Sequence, residues 1–134
     1  MVNNKVVICE IFTMKTIAVV GMSPKPDRPS HYVSLYMSQN GYDIIPVNPG
    51  HNSIMSKTSY SSLLDIKENV DIVNVFRRSE YVLPIIQDAI SIDAKAVWLQ
   101  DSVFSEEGKK IAEDKGLLFI MKDCLLRRHK QYYG

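Results

Sequence analysis

The chain has 134 residues, of which 46% are hydrophobic and 23% charged, and its formal net charge is +1. This length suits one domain with one sizeable core, and so balanced a charge gives no sign of a protein that binds nucleic acid or a membrane surface. Two cysteines, and no apolar run of the roughly 20 residues that a membrane span needs, indicate neither a disulfide framework nor a transmembrane segment, so we expect reduced thiols in a cytoplasmic protein.

The first fourteen residues form an extension whose pattern is ambiguous. Residues 2–13 contain β-branched side chains, which favour a strand, but their apolar positions recur at helical spacing, and we expect the extension 1–14 to be helical. Glu10 interrupts the apolar stretch and no small-residue cleavage site follows, so we do not expect a signal peptide. The sequence leaves open whether translation starts at Met1 or Met14.

Five short apolar runs, rich in β-branched residues, predict strands that are buried on both faces. These runs are 16–20, 42–47, 70–76, 94–99 and 117–121.

The segments between and after these runs predict helices, because their apolar residues recur every three or four positions. The predicted helices are 30–40, 79–90, 105–115 and a basic tail over 122–134, with a polar loop over 51–59 and a short helical turn capped by Ser61 or Ser62 before the third run. Gly41 suits the left-handed residue that follows a helix. Ser105 suits a helix start, and the two acidic residues after it are favourable at that end of the helix dipole.

Apolar strands that alternate with amphipathic helices predict an α/β fold. Right-handed crossovers then give a Rossmann-like, doubly wound sheet of about five mainly parallel strands with helices on both faces, in three α/β/α layers. We expect residues 1–134 to form a single domain, since the sequence shows no internal repeat, linker or low-complexity segment.

In such a sheet, ligands bind beyond the carboxyl ends of the strands, where the strand order reverses. The loops that follow the first four predicted strands are 21–30, 48–50, 76–79 and 100–102. Two of these loops contain the cations Lys25, Arg28, Arg77 and Arg78. The helices that begin after the same loops point free N–H groups at this edge. The sequence therefore predicts a site for an anion, most simply a phosphate ester.

These features also have a plainer interpretation. Arg77 and Arg78 could form a solvated rim or pair with Glu80, and the proline-rich stretch 24–29 could be a stiff connector. Prolines also hold a loop in its bound shape and so lower the entropy cost of binding. Three prolines beside two cations and a Gly-x-Ser sequence favour the binding role.

Several catalytic signatures are missing from the sequence. It lacks GxGxxG and the Walker A pattern, and Asn48 stands at the end of the second strand, where nicotinamide enzymes commonly have an acid. Ser23 lacks the GxSxG elbow of a hydrolase, and the three histidines lack metal-ligand spacing. We expect Cys124 and His129 to lie away from the strand-end loops, in packing roles. The site is thus expected to bind rather than to transform, with no catalytic residue and no metal.

The segments TIAVVGMSPKPDRPSHYVSLYMSQNGYDIIPVNP, DIVNVFRRSE and AVWLQ closely resemble the small stand-alone CoA-binding proteins. The Rossmann domain of that family is similar to the CoA-binding domain of the succinyl-CoA synthetase α subunit. The resemblance runs from about Lys15 to His129, and MKDCLLRRH resembles the family's usual D-x-C…H ending. It implies a ligand, CoA or an acyl-CoA, and no established reaction. It does not extend to the α subunit's active-site histidine domain, so we expect none of that phosphoryl-transfer chemistry.

The resemblance also implies where CoA binds. The loop after the first strand would hold the diphosphate, residues 48–49 would flank the adenosine, residues 76–78 would line the far side of the cleft, and residues 98–100 would close it toward the pantetheine arm. The implied binding residues are Gly21, Met22, Ser23, Lys25, Arg28, Pro29, Ser30, Asn48, Pro49, Phe76, Arg77, Arg78, Trp98, Leu99 and Gln100.

This chain departs from the family pattern after Trp-Leu-Gln. A Leu-Gly pair is common there, whereas this chain has Asp101-Ser102, which adds a side chain and a negative charge on the pantetheine side.

Two other functions stay open. The chain could be an oxidoreductase or another enzyme that uses a nicotinamide dinucleotide or a nucleotide ester, although the glycine pattern and the acid are missing. It could also be an interaction module that uses its basic C-terminal helix, although a solvated face is the commoner role of such a run. We expect no nucleic-acid and no membrane partner, and a protein partner or a homodimer stays open.

Overall fold

Short strands and helices alternate along the chain in the computed structural model, which describes residues 4–134. The helices are α1 Lys5–Phe12, α2 Pro29–Gln39, α3 Val82–Ser91, α4 Glu106–Asp114 and α5 Leu125–Tyr133. The strands are β1 Thr16–Val20, β2 Asp43–Val47, β3 Ser53–Ile54, β4 Lys57–Thr58, β5 Ile72–Val75, β6 Ala96–Leu99 and β7 Leu118–Ile120. The helix expected in the N-terminal extension is present as α1, and residues 1–3 of that extension lie outside the described residues.

Five of the strands form one parallel sheet in the order β2-β1-β5-β6-β7. The chain runs outward from β1 to β2, returns to the other side of β1 and then continues from β5 to β7, so the strand order reverses between β1 and β5. The expected Rossmann-like, doubly wound α/β fold is therefore confirmed.

The two faces of the sheet are covered by different helices. One face packs against α3, α4 and a 3-10 turn over Leu63–Asp65, and it contains Val73 and Val97 of the central strands. The other face packs against α1, α2 and α5 and contains Ile17, Ile72 and Trp98. Since both faces are covered, the central strands are apolar along most of their length.

Local signals in the sequence account for several element ends. Ser105 caps α4, because its Oγ accepts a hydrogen bond from the Gly108 amide at 2.9 Å. Ser62, rather than Ser61, caps the 3-10 turn by accepting from the Leu64 amide at 3.1 Å. Gly41 follows α2 with φ +95°, the left-handed conformation that its position predicts.

Most element ends differ from the predicted bounds by a few residues, and two further differences concern the kind of structure that forms. A 3-10 turn over Ser79–Tyr81 precedes α3, so the α-helix itself starts at Val82. The polar loop after β2 contains a small antiparallel hairpin of β3 and β4. Its two-residue turn consists of Met55 and Ser56, both at positive φ. The usual Asn-Gly or Asp-Gly signal of such a turn is missing from the sequence, which is why this hairpin was not predicted.

In residues 4–134, no helix combines the length and the apolar character that crossing a bilayer would require.

Candidate functional site

A cleft of about 1190 Å³ lies at the carboxyl ends of the parallel strands, at the point where the strand order reverses. Loops after β1, β2, β5 and β6 contribute to it, because the carboxyl ends of parallel strands share one edge of the sheet. Of the residues predicted from the sequence, it is lined by Gly21, Ser23, Lys25, Arg28, Pro29, Ser30, Asn48, Phe76, Arg77, Arg78 and Gln100.

Four predicted residues do not line the cleft. Met22, Trp98 and Leu99 are fully buried, with Met22 and Trp98 in the core on the α1, α2 and α5 side and Leu99 in the core on the other side. The indole N–H of Trp98 donates to the backbone carbonyl of Asp123 at 3.0 Å. Pro49 is exposed next to Asn48. The strand alternation explains Trp98 and Leu99, because consecutive residues of β6 point to opposite faces and into the two cores.

The loop between β1 and α2 is held by hydrogen bonds of its own side chains. The Ser23 amide donates to Ser30 Oγ at 2.9 Å, and the Lys25 amide donates to Ser23 Oγ at 3.1 Å. His31 lies in the first turn of α2, and its Nδ1 donates to the Ser23 carbonyl at 2.9 Å. These bonds fix the backbone around Ser23, so the two cations of the loop project from an ordered turn.

Gly21 is required by packing inside the protein. Its φ is +85°, and a Cβ at this position would lie 2.9 Å from Arg77 Cδ and 3.0 Å from the Phe76 carbonyl oxygen. Its amide donates to the Val47 carbonyl at 2.9 Å, which ties the end of β1 to the end of β2. A side chain here would strain the backbone and displace the loop after β5 before it met any ligand.

Asn48 joins two loops through both ends of its amide. Its Nδ2 donates to the Met22 carbonyl at 2.8 Å, and its Oδ1 accepts from the Gly50 amide at 2.8 Å. The side chain is thereby fixed between the loops after β1 and β2. An aspartate, which accepts hydrogen bonds only, would lose the donor to Met22.

The four predicted cations have no carboxylate partner within residues 4–134. The Arg77 guanidinium lies 4.9 Å from the centre of the Tyr81 ring, and the alternative interpretation, an ion pair of Arg77 or Arg78 with Glu80, is not seen among the described residues. Lys25, Arg28 and Arg78 are exposed and line the same cleft. This end of the cleft therefore concentrates positive charge that the described residues do not neutralise.

The first turn of α5 forms the other end of the cleft, and the sequence reasoning missed it. Cys124 is buried, precedes α5 and lines the cleft together with Leu126 and Arg127. The expectation that Cys124 lies away from the strand ends is therefore wrong, whereas His129 does lie outside the cleft. The loop after β7, the fifth strand of the sheet, lies at the same edge as the loops after the other four strands. This topology is the signal from which the contribution of α5 to the cleft could have been predicted.

The charge of Asp101 is largely neutralised by α5. Its carboxylate accepts from Arg127 Nη2 at 2.8 Å and from Nη1 at 3.1 Å, and these bonds lower the pKa of the Asp101 carboxyl. Ser102 has φ +70°, a left-handed conformation that glycine adopts more readily than other residues. The backbone thus keeps a shape suited to glycine, and the carboxylate of Asp101 is bound within the protein.

Other cleft residues come from helix starts and from positions beyond the predicted strand ends. They are Pro24, Tyr32, Val33, His51, Ser79, Ser102, Val103 and Lys130, together with Asp101, Cys124, Leu126 and Arg127. Tyr32 and Val33 belong to α2 and Lys130 to α5, so these two helices form one wall of the cleft.

The described part of the chain contains no group of three or more His, Cys, Asp or Glu residues that could hold a metal ion. The cleft has a strongly cationic end at β1 and β5. At its other end, at β6 and α5, Arg127 is paired with Asp101, and Val103, Cys124 and Leu126 supply apolar surface. Such an arrangement suits an elongated ligand with phosphates at one end and a neutral portion at the other.

Comparison with known proteins finds relatives of similar length and relatives that are much longer. YneT of Bacillus subtilis is 43% identical over 115 residues, which are 86% of this chain and 85% of YneT. The ADP-forming acetate–CoA ligase II of Archaeoglobus fulgidus is 32% identical over 116 residues, which are 84% of this chain and 17% of the ligase.

A solved structure, that of a hypothetical protein from Pyrococcus horikoshii, matches with a TM-score of 0.94 at 34% identity, covering 98% of this chain and 94% of that one. The family model described as "CoA binding domain" matches residues 15–130, which include all five strands of the sheet and the cleft. With a doubly wound sheet and a cationic cleft at its switch point, the chain belongs to the CoA-binding domain family.

Proposed function

We propose that this protein binds CoA or an acyl-CoA in the cleft at the carboxyl ends of β1, β5 and β6. The observation that carries the proposal is the cationic end of the cleft, where Lys25, Arg28, Arg77 and Arg78 have no carboxylate partner in residues 4–134. Membership of a CoA-binding domain family supports this choice of ligand.

The charge of CoA fits the cleft better than the charge of NAD does. CoA has a 3′-phosphate in addition to its diphosphate, and each cation–phosphate hydrogen bond is stronger than a neutral one. Lys25 and Arg28 would bind phosphate oxygens, while the ordered backbone around Ser23 would approach the diphosphate. The cleft is at least as large as most small-molecule pockets, which are roughly 300–1,000 Å³.

The matched ADP-forming ligase that contains a similar segment is a much longer enzyme. For this chain we propose ligand binding as the function and assign no reaction, so a sensor, carrier or subunit role is the class of function that the cleft supports. An enzyme that uses a nicotinamide dinucleotide is the alternative that the binding experiment below tests directly.

Titration calorimetry with CoA, dephospho-CoA and NAD tests the proposal. We expect CoA to bind more tightly than dephospho-CoA, and NAD to bind weakest. A thermal scan should agree, because a ligand at a hundredfold excess over its Kd stabilises the native state by about 2.7 kcal/mol. Binding of NAD without binding of CoA would overturn the proposal.

The double variant Lys25→Ala/Arg28→Ala should weaken CoA binding at least tenfold and flatten its dependence on salt concentration. The matched control is Lys109→Ala/Lys110→Ala on α4, which removes the same charge from two lysines that pair with Glu113 and Asp114 outside the cleft. An equal loss of CoA affinity in both double variants would assign the effect to net charge.

A further inference from the structure

A buried amide pair lies beside the neutral end of the cleft. Asn74 stands in the middle of the apolar strand β5 and is fully buried, and Gln100 follows β6 and is only 5% exposed. Asn74 Nδ2 donates to Gln100 Oε1 at 3.2 Å and to the Trp98 carbonyl at 3.1 Å. Gln100 Oε1 also accepts from the Leu125 amide, at the start of α5, at 3.1 Å.

The orientation of both amides follows from their backbone partners. The Leu125 N–H can only donate, so the Gln100 side chain must present its oxygen to it. The Trp98 carbonyl can only accept, so Asn74 must present its NH₂ group there. The NH₂ group of Gln100 is therefore directed away from this pair, and Gln100 is a lining residue of the cleft.

This NH₂ group is a hydrogen-bond donor without an acceptor among the described residues, whereas the oxygen of the same side chain has two donors. Asn74 Oδ1 is buried and accepts no hydrogen bond within residues 4–134. An unsatisfied buried acceptor lowers stability. Stabilisation of the core therefore does not explain why an asparagine is buried at position 74. Its hydrogen bond to Gln100 holds the Gln100 side chain in one orientation.

The surroundings of this donor favour a neutral acceptor over a phosphate. The charge of Arg127 is compensated by Asp101 and Asp123. Phosphates therefore have stronger partners at the cationic end, one or two strands away, at about 5 Å per strand.

We propose that Gln100, oriented by Asn74, donates its amide N–H to the acyl carbonyl of an acyl-CoA, so that the cleft distinguishes an acyl-CoA from free CoA. This inference rests on the proposed function. Gln100 is the specificity-determining residue, since it touches the ligand, and Asn74 is a positioning residue, since it acts through Gln100. Val103, Cys124 and Leu126 supply the apolar surface around the thioester.

Gln100→Glu is the variant that tests the donor, because it keeps an oxygen for Leu125 and replaces the NH₂ group by a second acceptor. The probes are acetyl-CoA, CoA and adenosine 3′,5′-bisphosphate, which retains charged phosphates but has no carbonyl. We expect the variant to weaken acetyl-CoA about tenfold, to weaken CoA less, and to leave the bisphosphate within about twofold.

Other results of this titration would overturn the inference. An equal loss for acetyl-CoA and CoA would place a pantetheine carbonyl at Gln100, and an equal loss for all three probes would assign the effect to charge. Unchanged binding of all three would show that the NH₂ group meets no ligand. A wild-type protein that binds none of the probes would instead refute the proposed function, and the inference with it.

The role of Asn74 is tested by Asn74→Leu, with the ratio of acetyl-CoA to bisphosphate affinity as the readout, since a merely structural effect would change both affinities alike. We expect this ratio to fall toward its value in the Gln100→Glu variant. Asn74→Ser, which retains one donor, should restore part of the ratio and serves if the leucine variant does not fold. Gln100→Met, which also lacks the NH₂ group but carries no charge, replaces Gln100→Glu if the glutamate variant does not fold. An unchanged ratio in these variants would remove the positioning role.

Discussion

Single side chains in the cleft differ in how firmly the protein itself holds them. Arg77 stacks on Tyr81 and packs its Cδ against Gly21, whereas Arg78 has neither an ion pair nor a ring contact among the described residues. The two arginines are neighbours in the sequence, but one is partly committed to the fold and the other is free to bind an anion. Their contributions to ligand binding should therefore differ.

We expect Arg78→Ala to weaken CoA binding about tenfold or more, since a charge-assisted hydrogen bond contributes about 1.5–3 kcal/mol. Arg77→Ala should weaken it less, because the Arg77 guanidinium is shared with the Tyr81 ring. Titration calorimetry on both variants, with Lys110→Ala as an exposed control outside the cleft, measures the difference. Wild-type affinity in both arginine variants would reduce the pair to a solvated rim.

At the scale of whole elements, backbone conformation and hydrogen bonds fix the loops at the sheet edge. The loop after β6 is one of them: Ser102 has φ +70°, and the amide of Phe104, two residues later, donates to Ser79 Oγ at 3.0 Å. The loop after β5 is therefore tied to the loop after β6. An L-residue at Ser102 pays a conformational cost that glycine would not.

We expect Ser102→Gly to increase the free energy of unfolding by about 0.5–1 kcal/mol, since relief of the left-handed strain exceeds the greater freedom of glycine in the unfolded chain. Urea unfolding followed by circular dichroism measures this change. Ser38→Gly, in the last turn of α2, is the control and should lower the free energy of unfolding by about 0.5 kcal/mol. A destabilised Ser102→Gly variant would contradict the account of this loop.

At the scale of the whole molecule, the three helices on one face of the sheet meet around His129. Its ring lies 5.3 Å from Phe12 of α1 and 5.7 Å from Tyr42, measured between centroids, and its Nδ1 is 2.8 Å from the Tyr36 hydroxyl of α2. His129 itself belongs to α5, so this cluster joins α1, α2 and α5. Burial lowers the pKa of His129 below its ordinary value of 6.5.

This pKa shift makes stability depend on pH in one direction. Because the folded protein holds His129 neutral below the pKa of the unfolded chain, stability is fully present above about pH 6.5 and decreases as the pH falls below that value. His129→Gln keeps an acceptor for Tyr36 but does not titrate. We expect the free energy of unfolding of the wild type to decrease more than that of this variant between pH 7.5 and pH 5.5. Urea titrations at both pH values measure the two changes. Equal decreases would contradict the role given to His129.

The sequence alone determined which segments are strands and which are helices, because that information is local. Apolar runs such as 16–20 and periodic segments such as 105–115 have their pattern within one element, and the structure places β1 and α4 there. The cationic loops were found for the same reason, since their positions follow directly from the strand ends. The hairpin of β3 and β4 escaped prediction because its turn residues, Met55 and Ser56, do not have the usual turn chemistry.

Only the tertiary structure decided which of these residues meet. Trp98 and Leu99 were predicted in the site but point into the two cores, while Cys124 was predicted outside it and lines the cleft. Asn74 and Gln100 are 26 residues apart in the chain, and Gln100 and Leu125 are 25 apart, yet a hydrogen bond joins each pair. Such contacts depend on strand order and on the packing of α5 against the sheet edge, and no local pattern of residues encodes either.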